Sequence, residues 1–170
     1  AESYKPSGTT LIRSMNVRDG QFDREGLAFI DEVQAGRLGN VVVQADDVLL
    51  NITGASVARV CRAPAGALPA RVNQHVAIIR PIAERLRPRF LEAQLLLLKP
   101  RLLHIAGAGA TREAITKQQI EGLAIVAPSI GDQVEFERRS FEASRLEEIG
   151  QNQLMELDTL LGSLQQRAFR

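Results

Sequence analysis

The last forty residues, 131–170, most constrain what this chain can fold into. They contain no proline, and their apolar residues repeat at alternating spacings of three and four: Leu154, Leu157, Leu161, Leu164 and Ala168. Such a repeat is typical of a helix whose apolar seam packs on another helix. Leu146 and Ile149 continue an apolar face in a shifted register, so we expect a break or bend at Gly150.

A helix over this whole segment would be a rod of roughly 60 Å, at about 1.5 Å per residue. The preceding domain is too small to bury the entire apolar stripe of such a rod. We therefore expect a partner helix, in another copy of this chain or in another protein. Residues 131–170 are interpreted as a spacer or dimerisation helix, and residues 1–130 as a separate domain.

The domain before the helix is predicted to be rich in short strands. Its β-branched runs are separated by Gly, Pro, Asp and Asn, which favour turns. The runs that predict strands are residues 10–17, 41–43, 48–52, 57–62 and 72–79. Residues 21–31 are predicted to form a loop or a short helix.

Helical spacing of leucines begins after Pro81, and Pro100 is expected to end or kink that helix. Thr116 is a candidate N-cap for a single helical turn through Ile120, and residues 123–126 are predicted to form a last strand. The sequence thus predicts an α+β fold, with a β-rich domain followed by a long, coiled-coil-forming C-terminal helix.

Charge is distributed unevenly, although the net charge is only +1. Residues 54–130 contain eleven Arg or Lys and four acidic residues, whereas residues 131–170 contain five basic and eight acidic residues. An arginine-rich region fits a surface that contacts phosphates, because guanidinium donates in a planar fork. A solvated basic face is the alternative, and charge alone does not choose between them.

No catalytic motif is recognisable in the sequence. It lacks an Asn/Asp-Pro-Pro-aromatic methyltransfer motif, a Walker sequence, His-Glu-x-x-His and a nucleophile elbow. Cys61 is the only cysteine, which excludes an internal disulfide and fits a reducing compartment, while His75 and His104 are better explained as structural residues than as ligands. We expect no enzyme activity, metal or cofactor in this chain.

The leucine run at residues 95–98 is far too short to span a bilayer, and so is the apolar run at residues 123–127. A cytoplasmic protein without membrane contact is therefore expected.

Several segments together resemble the specificity subunits of Type I restriction-modification enzymes. They are TLIRSMNV (10–17), DVLLNITGAS (47–56), NQHVAIIRP (73–81), TREAITK (111–117), IEGLAI (120–125), residues 128–136 and residues 154–169. Each segment alone is weak, but their order and spacing extend over most of the chain. The family pattern commonly has glycine where Asp46 and Ala58 stand in this sequence.

The resemblance implies a non-catalytic DNA-binding subunit of a bacterial defence system. Such subunits have two target-recognition domains, each followed by a long helix, and each domain reads half of a bipartite DNA site. Methyltransferase (modification) subunits that use S-adenosylmethionine dock beside the helices, and the restriction subunit joins through the complex. This chain resembles half of that plan, and we expect the leading piece of the domain to be missing.

Residues that read bases should lie in irregular loops, where side chains can vary on a fixed scaffold. Arg18, Arg37, Asn40 and Arg71 are candidates for this reason, and Arg59 is a candidate because it lies on a predicted strand next to the turn at residues 53–56. The full set of candidate DNA contacts is Arg13, Asn16, Arg18, Arg37, Asn40, Thr53, Ser56, Arg59, Arg71 and Arg112. The small residues 53–56 would let backbone and hydroxyl groups approach a phosphate closely, although a plain hairpin fits them too. Asn73 and Gln74 suit adenine edges but are better explained as framework residues. The candidate helix–helix interface consists of Leu146, Ile149, Leu154, Leu157, Leu161, Leu164 and Ala168.

Three alternatives stay open from the sequence. The chain is a half-length specificity protein that forms a homodimer and reads a palindromic site, or a protein-interaction scaffold that binds no DNA. The third is a fragment of a fused restriction-modification enzyme.

Overall fold

The computed structural model describes residues 4–107 and 114–168. The chain divides into two compact units, residues 1–130 and residues 131–170. The first is β-rich with short helices, and the second is a single long helix. The predicted α+β fold, with a β-rich region followed by a long C-terminal helix, is confirmed.

Short strands form three sheets within the described part of the first unit. The strands are β1 (Thr9–Ile12), β2 (Val17–Arg18), β3 (Gln21–Phe22), β4 (Ala28–Ile30), β5 (Val42–Val43), β6 (Val48–Asn51), β7 (Val60–Arg62), β8 (Ala70–Val72) and β9 (Val76–Ile79). One sheet has the order β4-β1-β8-β5, a second pairs β2 with β3, and the third has the order β7-β6-β9. Strands β1 and β8 are parallel, and the other pairs are antiparallel.

Strand β6 is the centre of the first unit, because all four of its residues are buried. Val48 and Leu50 belong to an apolar cluster that also contains Leu95 and Leu102. Leu49 points to the opposite face, as alternation along a strand requires, and joins a second cluster with Cys61. One strand therefore supplies side chains to both cores, and it holds the turns at its ends in place.

Five helices accompany the strands in the described residues. They are α1 (Glu32–Arg37), α2 (Pro88–Leu97), α3 (Lys99–Gly107), α4 (Lys117–Glu121) and α5 (Ile130–Ala168). The predicted interruption at Pro100 is confirmed, since α2 ends before it and Pro100 lies in the first turn of α3, where proline is tolerated. The predicted N-cap is also confirmed: the Thr116 hydroxyl accepts from the Gln119 backbone N–H at 3.3 Å.

Three predicted strands are interrupted or shortened by turns. The run 10–17 is interrupted by a 3-10 turn at Ser14–Asn16, and the run 72–79 is divided by a turn that the Asn73 side chain closes on the backbone N–H of His75. In the run 57–62 only the last three residues are extended, because Ala58 has a φ of +65°. Turn-forming hydrogen bonds thus override β propensity at these points.

Two predictions about chain segments are wrong. Residues 21–31 contain β3 and β4 rather than only a loop or helix, and Phe29 pairs with Thr10 of the neighbouring strand. Residues 123–126 are not a strand, because the Gln94 side chain substitutes for one. Its amide accepts from the Val126 N–H at 2.9 Å and donates to the Val126 carbonyl at 2.7 Å.

Helix α5 continues through Gly150 without interruption, so a break there is wrong, while a bend at Gly150 stays a prediction. A glycine inside a helix costs about 1 kcal/mol relative to alanine, which thirty-nine helical residues can absorb. No helix in the described residues is long and apolar enough to cross a membrane.

Candidate nucleic-acid interface

A cleft of about 400 Å³ opens at one end of β6. Its lining residues are Ser14, Met15, Arg18, Thr53, Gly54, Ala55, Ser56, Arg59 and His75. Four predicted DNA contacts meet here: Arg18, Thr53, Ser56 and Arg59. Residues from three separate parts of the sequence therefore converge on one concave surface.

The turn at residues 53–56 forms one wall of the cleft. Gly54 has a φ of +75°, a left-handed conformation that favours glycine, and its carbonyl accepts from the Val57 N–H at 2.9 Å. Thr53 also pairs with Ala114 in an isolated antiparallel bridge. The turn is thus tied to the framework on both sides and presents its small side chains outward.

Asn51 lies beneath this turn and is fully buried. Its Nδ2 donates to the Ser14 carbonyl at 2.8 Å and to the Ser56 hydroxyl at 3.1 Å. One amide therefore joins two walls of the cleft, whose residues are far apart in sequence. The only sequence signal for this role is a polar residue at the end of an apolar strand, and our sequence prediction missed it.

His75 forms the other side of the turn. Its Nδ1 lies 2.6 Å from the Thr53 hydroxyl oxygen, and its Nε2 lies 3.3 Å from Nε2 of Gln74. Asn73 Oδ1 accepts from the His75 backbone N–H at 3.1 Å. Asn73, Gln74 and His75 thus support the turn, and none of them was among the predicted DNA contacts.

Two arginines give the cleft its positive charge. Arg18 is exposed, and its Nε donates to the Asp23 carboxylate at 3.2 Å. The backbone N–H of Glu25 and then the Arg18 side chain lower the pKa of Asp23, so that carboxylate stays ionised. Arg59 is partly buried beside the turn. A guanidinium on each side can donate to an anion in the cleft.

Two predicted contacts belong to the framework instead. Asn16 is fully buried, and its side chain bonds to the Arg13 N–H and to the carbonyls of Asp23 and Glu25. Arg13 donates to the Gly26 carbonyl at 2.6 Å and stacks on the Tyr4 ring at 5.2 Å. The prediction that Asn16 contacts DNA is corrected, because the residue is fully buried and both ends of its amide bond to the backbone inside the protein.

The remaining predicted contacts do not line the cleft. Arg71 is held by the carbonyls of Ala35 and Ala70, at 3.3 and 3.0 Å, while Arg37 and Asn40 are exposed near the end of α1. Arg112 lies outside the described residues.

Part of the basic surplus noted in the sequence is used inside the fold. Arg80 makes two 2.7 Å hydrogen bonds to the buried carboxylate of Asp47, and Arg62 pairs with Glu92 at 2.8 Å and with Asp46 at 3.1 Å. These arginines connect β7 and the end of β9 to helix α2 and to the turn before β6, so the charge available to a nucleic acid is smaller than the sequence count.

The two positions where the family pattern has glycine both adopt left-handed backbone. Asp46 and Ala58 each have a φ of +65°. The turn geometry that glycine favours is therefore kept with other residues, and at Ala58 the methyl group is fully buried.

The predicted interface residues of α5 lie along an exposed helix. The exposed fractions are 69% for Leu146, 42% for Ile149, 64% for Leu154, 60% for Leu157, 59% for Leu161 and 53% for Leu164. Ala168 is the last helical residue. Whether these side chains form a helix–helix interface stays a prediction.

Comparison with known proteins identifies a similar fold. No family model matches the sequence, and no curated protein matches it. The structure is similar to a chain solved in work on the complex assembly and conformational transition of the type I R-M system, with a TM-score of 0.64 and 19% sequence identity. The similarity covers 93% of this chain and 37% of that chain. This chain therefore spans little more than a third of the length of the chain it resembles.

Proposed function

We propose that the chain is a non-catalytic DNA-recognition module of a type I restriction-modification system. It reads one half of a bipartite site and positions methyltransferase subunits, which supply S-adenosylmethionine chemistry, while a restriction subunit joins through the complex. The similarity in fold to a chain from such a system supports this assignment.

The observation that carries the proposal is the convergence of Arg18, Thr53, Ser56 and Arg59 on one cleft. Two guanidinium groups and two hydroxyl groups are the side chains that proteins use against phosphate oxygens and base edges.

The first experiment measures duplex binding by fluorescence anisotropy across salt concentrations. A chain that neutralises phosphates loses affinity with a slope of about −0.9 per phosphate in log–log coordinates. We expect Arg18→Gln and Arg59→Gln each to flatten this slope by about 0.9.

Arg145→Gln is the matched control, because Arg145 is exposed on α5 and lies outside the cleft. It should leave the salt slope unchanged. A flat salt response of the unaltered chain would contradict DNA binding and favour the scaffold alternative.

Sequence readout is tested by co-purifying the chain with a modification subunit and selecting duplexes from a random library. Enrichment of a defined half-site supports the recognition role. Enrichment of a palindromic repeat instead indicates that two copies of the chain bind together.

That second arrangement, a homodimer, is favoured by the exposed leucines of α5. Leu154, Leu157, Leu161 and Leu164 are each more than half exposed, and burying a leucine contributes about 1.5–3 kcal/mol. Light scattering distinguishes the two forms: a dimer that Leu157→Asp and Leu161→Asp convert to a monomer supports self-association. If the chain stays monomeric at high concentration, we expect a modification subunit to cover the apolar seam instead.

A further inference from the structure

Two of the three side-chain hydroxyl groups that line the cleft, those of Thr53 and Ser56, each already have a hydrogen-bond partner in the protein. For Ser56 the donor is Nδ2 of Asn51, at 3.1 Å. An amide nitrogen donates and never accepts, so the Ser56 oxygen is the acceptor in this bond. The hydroxyl proton of Ser56 is therefore left to be donated in another direction.

The same logic applies to Thr53 through His75. Nε2 of Gln74 lies 3.3 Å from Nε2 of His75. With the Gln74 amide in this orientation its nitrogen donates, and the ring nitrogen accepts. In a neutral imidazole the proton is then on Nδ1, which lies 2.6 Å from the Thr53 oxygen. Thr53 consequently accepts from the ring, and its own proton is left to be donated.

The cleft thus presents two O–H donors of one turn beside two guanidinium groups, which also only donate. In the major groove only guanine presents a pair of acceptors, whereas the oxygens of every phosphodiester only accept. A site of donors alone therefore matches a phosphate at any position along DNA, and it matches a base only at guanine.

We infer that Thr53 and Ser56 form a preset donor site for one phosphodiester group of the DNA backbone, with Asn51 and His75 as its positioning residues. DNA as the source of that group rests on the proposed function, but the orientation of the hydroxyls does not. The site therefore fixes the register of the chain on DNA, and base readout belongs to other residues.

The hydroxyl orientation is tested in the full chain by nitrogen-15 NMR of the histidine rings, at a pH where the rings are neutral. We expect His75 to carry its proton on Nδ1, and Gln74→Met to move it to Nε2, because the donor to Nε2 is removed. His104 is the only other histidine, so a His104→Gln variant assigns the signals. A proton on Nε2 of His75 in the unaltered chain would overturn the preset site.

The anion site is tested separately by titrating inorganic phosphate and following backbone amide signals. Signals of residues 54–56 should shift in the unaltered chain and respond at least severalfold less in Thr53→Val and Ser56→Ala. Ser7→Ala, which removes an exposed hydroxyl outside the cleft, should respond like the unaltered chain.

Duplexes that carry one neutral methylphosphonate in place of a phosphate connect the site to DNA. At one position the methylphosphonate should weaken binding roughly tenfold, which is the order of a hydrogen bond to a charged group. Ser56→Ala should bind that modified duplex no more weakly than the unaltered chain does. Ser56→Ala could instead change which bases are preferred, while its binding is still weakened by a methylphosphonate at that position. That result overturns the inference, while DNA recognition stands. If the unaltered chain binds phosphate as expected but no duplex, the proposed function fails and the anion site stands.

Discussion

Leucine side chains have opposite surroundings in the two units of the chain. Leu50 in strand β6 is fully buried, whereas Leu157 in helix α5 is 60% exposed. A buried leucine stabilises the fold that contains it, while an exposed leucine at seam spacing contributes only when another helix covers it. The first unit is therefore stabilised by its own core, and the apolar seam of α5 can be stabilised by a partner.

Glycine differs between the units in the same way. Gly54 is needed for the left-handed turn of the cleft, with a φ of +75°, whereas Gly150 lies inside a continuous helix. An added Cβ meets no atom within 4 Å at either position. Backbone conformation alone thus decides what each glycine contributes.

The largest expected difference between the units is in thiol reactivity. Burial, and then the charge of Glu92, raises the pKa of Cys61 to about 12, so almost no reactive thiolate forms in the folded unit. We expect Cys61 to react with a thiol reagent on the order of 10³-fold slower than a cysteine introduced by Leu157→Cys. Mass spectrometry of each peptide over time measures both rates in one chain. Equal rates would mean that the core around β6 opens readily.

The next largest difference between the units is expected in the free energy of unfolding after matched leucine substitutions. Leu50→Ala is expected to lower the free energy of unfolding by about 2–5 kcal/mol, because it leaves a cavity between strand and helices. Leu157→Ala should change it by about 0.5 kcal/mol or less in a dilute, monomeric sample, as surface substitutions do. Urea unfolding at low protein concentration measures both. A large loss from Leu157→Ala under these conditions would show that its side chain is covered within one chain.

Glycine-to-alanine substitutions should have opposite signs in the two units. Gly54→Ala is expected to destabilise the first unit by about 1 kcal/mol, since alanine is strained in a left-handed conformation. Gly150→Ala should stabilise helix α5 by about 1 kcal/mol through helix propensity. Thermal unfolding followed by circular dichroism measures each effect. A destabilising Gly150→Ala would point to a close neighbour of the helix at that position.

Much of the secondary structure could be predicted from local patterns in the sequence. The apolar run at residues 48–50 and the leucine repeat of α5 are local patterns, and both elements were predicted from them. The φ of +65° at Asp46 and Ala58 agrees with the family pattern of glycine at those positions. Local periodicity and turn chemistry were therefore sufficient for most element types.

The site depended on contacts that no local pattern contains. Asn51 reaches the Ser14 carbonyl thirty-seven positions earlier in the chain, and His75 reaches Thr53 twenty-two positions earlier. Asn16 was predicted to contact DNA, yet it is fully buried and its amide donates to backbone carbonyls. Burial and long-range pairing, which periodicity does not show, separate the framework from the surface.

The smallest expected effect concerns the acidic side of the exposed helix. Hydrogen bonds from Arg138 and then from Arg139 lower the pKa of Glu135 from 4.5 to about 2. A lowered carboxyl pKa stabilises the folded form above the unfolded pKa, and that contribution disappears as the pH falls from about 4.5 to about 2. Glu135→Gln should therefore lose a little helical signal at neutral pH and show a weaker pH dependence in that window. Circular dichroism of both proteins in low and high salt measures this, and high salt should remove the difference because the ion pairs are exposed. A pH dependence that is identical in Glu135→Gln would assign the acid sensitivity of the helix to its other carboxylates.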